Sequence, residues 1–200
     1  EITFDFLSPI ESIPDVVLGQ PVPINIENGI AAMAMAQLNG CTANEIKYGM
    51  KTYHGVDRRF DFKIKTDKLV FLSDYAHHPK EIYQSAKSIR ELYESRKITA
   101  IFQPHLYTRT RDFYKDFADS LSLLDEVILL DIYPAREEPI PGVTSKLIYD
   151  NLRPGIEKSM CDKNDVMDLV KNHDFDVLIV LGAGDLDNYV PEITKILQDR

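Results

Sequence analysis

Two stretches of this sequence gather side chains able to move protons or hold anions. Asp74-Tyr75-Ala76-His77-His78-Pro79 places a carboxylate, a phenol and two imidazoles one residue after the apolar run Leu69-Val70-Phe71-Leu72. Imidazoles titrate near neutral pH and carboxylates accept from hydroxyls, so this set suits proton handling and hydrogen bonding to a polar substrate. Gln103-Pro104-His105-Leu106-Tyr107-Thr108-Arg109-Thr110-Arg111 follows a second apolar run and forms a basic island in a chain of net charge −9. Guanidinium groups grip carboxylates and phosphates through paired N–H donors, so this stretch suits an anionic substrate group. An Arg-x-Arg alone is more often a solvated or helix-capping run; its place at a strand end turns the reading toward function.

Adjacent His77 and His78 point in different directions, and no His-x-x-x-His spacing lets them share an ion, so no metal site is expected there. His77 reads as bonding a substrate or phosphate, with Asp74 accepting from a hydroxyl, and His78 as a packing residue or helix cap. Gly182-Ala183-Gly184-Asp185 resembles half of a dinucleotide-binding turn, the mark of a nucleotide-binding oxidoreductase domain. Its third glycine is missing and it follows the last strand instead of the first, so it reads as a tight turn at the edge of the site. Pro139-Ile-Pro-Gly142 reads as a rigid loop, and Glu137 and Glu138 as solvated. These residues contain no Gly-x-x-x-x-Gly-Lys-Ser/Thr phosphate loop.

The elements that must hold these residues follow from hydrophobic periodicity. A strand is expected over 2–7, then a proline-punctuated loop over 8–23. A helix over 25–39 ends at Gly40, and Thr42-Ala-Asn-Glu45 is a capping box that opens a second helix reaching about residue 53. A charged link, 54–60, marks a domain boundary. Beyond it a hairpin of 60–64 with 69–72 leads into helix 80–95, strand 98–102, helix 110–123 and strand 126–130. A short helix over 145–151, helix 164–172, strand 177–181 and helix 188–198 complete the series. Pro79 suits the first turn of its helix. Strands nearly continuous in Val, Ile and Leu, alternating with helices, indicate an α/β unit with a mostly parallel sheet covered on both faces. Parallel strands would bring the loops at 74, 103, 131 and 182 to one edge, where such sheets handle ligands.

At 200 residues, 44% hydrophobic and 28% charged, the chain has an ordinary globular composition. Its negative charge argues against general nucleic-acid binding, which releases counterions from a basic surface. Cys41 and Cys161 imply no disulfide framework and fit a reducing cytoplasm. No apolar run has the ~20 residues of a membrane-spanning helix. The opening Glu-Ile-Thr-Phe, without an initiating Met, reads as part of a longer protein.

Taken together, Asp74-Tyr-Ala-His-His-Pro79, Phe102-Gln-Pro-His-Leu-Tyr-Thr-Arg-Thr-Arg-Asp112, Tyr133-Pro-Ala-Arg-Glu-Glu-Pro-Ile-Pro-Gly142 and Gly182-Ala-Gly-Asp185 resemble the Mur ligases. Within that family they resemble the branch that adds L-alanine to UDP-N-acetylmuramate. The Phe-Gln-Pro-His stretch separates this branch from the murein-tripeptide recycling ligase, which shares the His-His-Pro loop. The resemblance implies that 1–57 is the end of a central ATPase domain and 58–200 a Rossmann-like C-terminal domain that binds the amino acid. It implies ATP as co-substrate, with magnesium held by residues outside this chain, and no activity for the fragment alone. By position, Asn25 and Asn28 match adenine contacts, Arg59 an arginine reaching the ATP phosphates, and Asp74 an aspartate that meets the nucleotide. Tyr75, His77 and Arg109 match positions near the amino acid, with Arg109 suited to its carboxylate. Leu106 stands where many relatives have Arg, which leaves Arg109 single or supported by Arg111 or Arg136. A non-catalytic nucleotide-binding or interaction domain is the alternative from another class.

Overall fold

The computed structural model describes residues 2–19 and 24–200, which divide into two compact units, Glu1–Val56 and Asp57–Arg200.

In the first unit, β1 (Ile2–Phe6) pairs antiparallel with β2 (Ile13–Leu18). The sequence reading made 8–23 a loop, so β2 is a correction; 20–23 lie outside the described residues. Pro14 and Asp15, the latter at φ 52° and bonded through its N–H to Asp5 Oδ1 at 2.9 Å, break the alternation that would have marked the strand. α1 (Ile24–Leu38) ends at Gly40, whose φ of 83° only glycine adopts without strain. α2 (Ala43–Thr52) opens on the expected capping box, in which Glu45 Oε2 accepts from Thr42 N at 2.8 Å and Thr42 Oγ1 from Glu45 N at 3.3 Å. Phe6, Ile13, Val16, Met33 and Ile46 form the core. A cavity of about 460 Å³ lies against α1 and α2, bordered by Asn25, Asn28, Met33, Ile46, Met50 and Tyr53 among others.

The second unit is a six-stranded sheet of order β3-β4-β8-β5-β6-β7. Its strands are β3 (Asp61–Lys65), β4 (Val70–Asp74), β5 (Ile98–Phe102), β6 (Glu126–Leu129), β7 (Glu157–Met160) and β8 (Val177–Leu181). Only β3 runs antiparallel, as the expected hairpin with β4. The remaining pairs are parallel. Helices α6 (Val166–Asn172) and α7 (Val190–Gln198) bury Val170, Ile193 and Leu197 against Phe71, Ile101, Ile128 and Leu178 on one face. On the other lie α3 (Pro79–Leu92), α4 (Tyr107–Leu121) and the short α5 (Lys146–Asn151), with Phe117 of α4 against Phe102 at 5.5 Å. The α/β class with helices on both faces is therefore as expected.

Strand register sets up the site. Asp74 is level with Leu181, Leu181 with Phe102, and Phe102 with Leu129, so four adjacent parallel strands stop in one row. The rungs continue one step beyond, from Gly182 N to Asp74 O at 3.2 Å, Gln103 N to Leu181 O at 3.1 Å and Leu130 N to Phe102 O at 3.0 Å. Four loops thus leave the sheet side by side.

Candidate functional site

The loop after β4 is held from both ends. Asp74 is 8% exposed, and its carboxylate accepts from Ala76 N at 3.2 Å and from the Ser85 hydroxyl of α3. Burial pushes its carboxyl above the ordinary aspartate range, against the pull of Ser85, the Ala76 and Phe60 amides and the Arg59 charge. The hydroxyl that Asp74 serves is therefore one of its own fold. Glu81, at the third position of α3, accepts from His77 N at 3.0 Å and His78 N at 3.1 Å. Burial alone would raise the Glu81 carboxyl, but those amides and the His77 and Arg59 charges outweigh it and hold it low. His78 occupies the N-cap position without a side-chain cap bond and packs its ring 5.3 Å from Phe113, the packing alternative of the two expected.

His77 Nδ1 lies 2.9 Å from Tyr75 O and 3.4 Å from Glu81 Oε2, both acceptors. The proton of a neutral ring therefore belongs on Nδ1, which makes Nε2 an acceptor. In the loop after β5, His105 Nδ1 faces Arg109 Nη1 at 3.5 Å, and a guanidinium only donates, so the His105 proton belongs on Nε2. Burial, then the Arg109 and His77 charges, push the His105 pKa down and keep the ring neutral at neutral pH. Arg109 Nη1 also reaches His77 O at 3.4 Å. Among the described residues no hydrogen bond engages Nη2 or Nε of Arg109, which leaves a paired donor edge for an anion.

Rings connect the loops. Tyr75 lies edge-on to His77 at 5.0 Å, His77 to His105 at 5.9 Å, and His105 stacks on Tyr133 at 5.7 Å and 26°. Backbone bonds join the last two loops as an extension of the sheet, from Tyr133 N to Pro104 O at 2.8 Å and Leu106 N to Tyr133 O at 2.9 Å. On its other flank Tyr75 carries two guanidiniums, Arg58 at 4.6 Å and Arg59 at 5.3 Å from the ring centroid. Arg58 also pairs with Asp187 at 2.9 Å, at an angle too bent for a hydrogen bond.

The Gly182-Ala-Gly184 turn serves a neighbouring side chain. Gln103 is 3% exposed; its Nε2 donates to Asp185 Oδ1 at 2.9 Å and its Oε1 accepts from Leu186 N at 3.0 Å. A β-carbon on Gly182 would come within 2.7 Å of Gln103 O, and one on Gly184 would overlap Gln103 Oε1. Glycine is required so that Gln103 can knit this loop to β5. Asp185 in turn binds Lys163 Nζ at 2.5 Å. Burial would raise the Asp185 carboxyl; the Lys163 and Gln103 bonds with the Lys163 charge outweigh it and hold it low.

The structure therefore brings Tyr75, His77 and Arg109 together, with Arg59 at their margin. Asp74 is turned inward, and Arg111 is exposed and paired with Asp112 at 2.7 Å. Asn25 and Asn28 lie in the first unit, on the rim of its cavity. The sequence gives Tyr133 no role beyond its place in a motif and reads Glu137 as solvated. Glu137 instead accepts from Thr108 N at 2.9 Å and from the Thr108 hydroxyl. Only pairing between loops reveals either role. Among the described residues no group of three or more His, Cys, Asp and Glu is placed to hold a metal.

Comparison with known proteins gives the family. The family described as "Mur ligase, glutamate ligase domain" matches residues 58–184. A UDP-N-acetylmuramate–L-alanine ligase of Phocaeicola vulgatus is 70% identical over 100% of this chain and 44% of its own length. One of Porphyromonas gingivalis is 50% identical over 98% of this chain and 43% of its own. The chain thus spans less than half the length of these curated relatives. Among solved structures, a UDP-N-acetylmuramate-alanine ligase of Thermotoga maritima superposes with a TM-score of 0.75 at 26% identity, over 91% of this chain and 39% of that one. A folylpolyglutamate synthase of the same organism, at TM-score 0.71 and 17% identity over 96% of this chain and 43% of that one, shares the fold. With more than half of its residues matched by the family and its strand-end loops carrying the family's motifs, the chain belongs to the Mur ligases.

Proposed function

We propose that this chain is the amino-acid-binding part of an ATP-dependent ligase that joins L-alanine to UDP-N-acetylmuramate in peptidoglycan biosynthesis. The reading divides the chain into the end of a central ATPase domain, 1–57, and a C-terminal domain, 58–200. One observation carries it. Arg109 is held between His77 O and His105 Nδ1 with a donor edge free, beside a His77 ring whose Nε2 is an acceptor. A guanidinium and an imidazole nitrogen side by side match the carboxylate and amine of an amino acid.

In this reaction ATP supplies the phosphoryl group that activates the muramate carboxylate. This chain's residues then do three things. Arg109 grips the alanine carboxylate and so aims its amine, an orientation effect of the kind worth many-fold in rate. His77 Nε2 accepts a proton from the amine, which must be neutral to attack. Arg59, packed with Arg58 over the Tyr75 ring, presents positive charge near the phosphoryl oxygens. Asn25 and Asn28, beside a cavity lined by Met33, Ile46, Met50 and Tyr53, suit a flat heteroaromatic base such as adenine. Magnesium enters only through residues outside this chain, and the substrates set the reaction in the cytoplasm.

The test is phosphate release by the full-length protein with ATP, magnesium and UDP-N-acetylmuramate across a panel of amino acids and the recycled tripeptide. Turnover dependent on L-alanine is expected, and Arg109→Ala raises the KM for alanine at least tenfold while that for ATP stays within twofold. Turnover with the tripeptide alone would transfer the protein to the recycling ligases, and an unchanged alanine KM in Arg109→Ala would reject the clamp.

A further inference from the structure

The turn that carries Arg109 is poorly anchored by its own helix. α4 begins after Leu106, which sits at φ 74° and provides no side-chain cap, and the helix is interrupted at Phe113 (φ −126°, ψ 15°). Arg109 therefore rides on a short segment bounded by a left-handed residue and a kink. A helix start leaves its first N–H groups without intrahelical partners, and a segment this short adds little cooperative stability of its own. Thr110 does bond back to Leu106 O through its hydroxyl at 2.9 Å, which ties the segment to itself but not to the sheet.

The external anchor comes from the neighbouring loop. Glu137 takes both the amide and the hydroxyl of Thr108, one residue before Arg109. It is fixed on its own side, since Glu137 N donates to Pro134 O at 2.9 Å and Tyr133 is bonded to Pro104 and Leu106. These contacts with Thr108 hold the carboxyl below its ordinary range and so favour its ionised form. A carboxylate at a helix start also opposes the positive end of the helix dipole. The carboxylate is thus committed to its own fold and touches neither Arg109 nor the acceptor face of His77.

We propose that Glu137 is a positioning residue. From the loop after β6 it clamps the first turn of α4 through Thr108, and so fixes where Arg109 presents its guanidinium to the amino-acid carboxylate. The inference rests on the reading of Arg109 given above. Displacing a reactant-orienting group by about 1 Å costs on the order of a hundredfold in well-ordered sites, so an intermediate loss is expected when one of several anchors goes.

The experiment uses the full-length enzyme and steady-state kinetics with L-alanine varied, in four forms: unaltered, Glu137→Ala, Arg109→Ala and the double variant. Glu137→Ala is expected to raise the alanine KM about tenfold and leave the KM values for ATP and UDP-N-acetylmuramate within twofold. In the Arg109→Ala background the same change is expected to do almost nothing, because the group being positioned is gone. An equal effect in both backgrounds, or none in either, overturns the proposal. An Arg109→Ala enzyme with an unchanged alanine KM overturns the underlying reading instead, so the two failures are told apart. Thr108→Val, which removes only the hydroxyl partner, provides the second route should Glu137→Ala not fold. It is expected to give a smaller rise in the same constant, and no rise would count against the clamp.

Discussion

Replacing Gly184 by Ala tests whether the edge of the sheet is as rigid as the contacts around Gln103 imply. The added methyl would overlap Gln103 Oε1 and stand 2.8 Å from its Cδ and 2.9 Å from Tyr133 Cβ, against an ordinary separation of at least 3.4 Å. Gln103 has little room to yield, because it is 3% exposed and both ends of its amide are bonded. Retreat by half an ångström or more stretches the bond from Leu186 N beyond 3.5 Å and leaves a buried amide unpaired. Such an amide costs about 1–3 kcal/mol, and forcing one extra carbon into a packed site about 1–3 kcal/mol more. A loss near 3 kcal/mol translates, for a domain of this size, into a melting temperature lower by about 6–12 °C. Calorimetry of the full-length protein, following the transition that contains the sheet, reads this directly. A drop below about 2 °C would refute the argument and mean that the Gln103 side chain moves aside freely.

The same substitution elsewhere has the opposite sign. Gly49 lies inside α2 with nothing within 4 Å of a built β-carbon, so Gly49→Ala removes unfolded-chain freedom and stabilises by about 0.5–1 kcal/mol; a lower melting temperature would contradict this. For Asp74, burial raises the folded carboxyl above its unfolded value, so the folded state binds the extra proton between the two and stability falls as pH rises through that window. Asp74→Asn is expected to be at least as stable as the parent at neutral pH, with its advantage disappearing on acidification toward the unfolded pKa; a less stable variant at neutral pH would show that the charged form is favoured after all.

Much of the second unit was legible because its strands are uniform. Ile98-Thr-Ala-Ile-Phe102 and Val177-Leu-Ile-Val-Leu181 are buried along their whole length, and their apolar runs give their bounds directly. β7, Glu157-Lys-Ser-Met160, was invisible because an exposed edge strand carries no such run. α7 begins later than its composition suggests because Asp185–Tyr189 forms a 3-10 turn first. The site divides in the same way. His77 and Arg109 announce themselves by residue type, whereas Tyr133 and Glu137 act through partners 27 and 29 positions away, in the bonds between Leu106 and Tyr133 and between Thr108 and Glu137. Arg111 shows the limit of reading type without direction, since its neighbour Asp112 takes its guanidinium.

The insertion of β8 between β4 and β5 has a consequence for synthesis. Its residues emerge from the ribosome about a hundred positions after β4, on the order of 5–20 s later at ordinary elongation rates. Until it arrives the inner edges of β4 and, once made, of β5, which are wholly buried in the finished sheet, have no partner. Exposed strand edges of this kind invite pairing with other chains. A nascent chain of this topology therefore stays vulnerable until β8 arrives, and pausing of translation shortly before Val177 would lengthen that exposure, whereas pausing after Gly182 has left the exit tunnel would not.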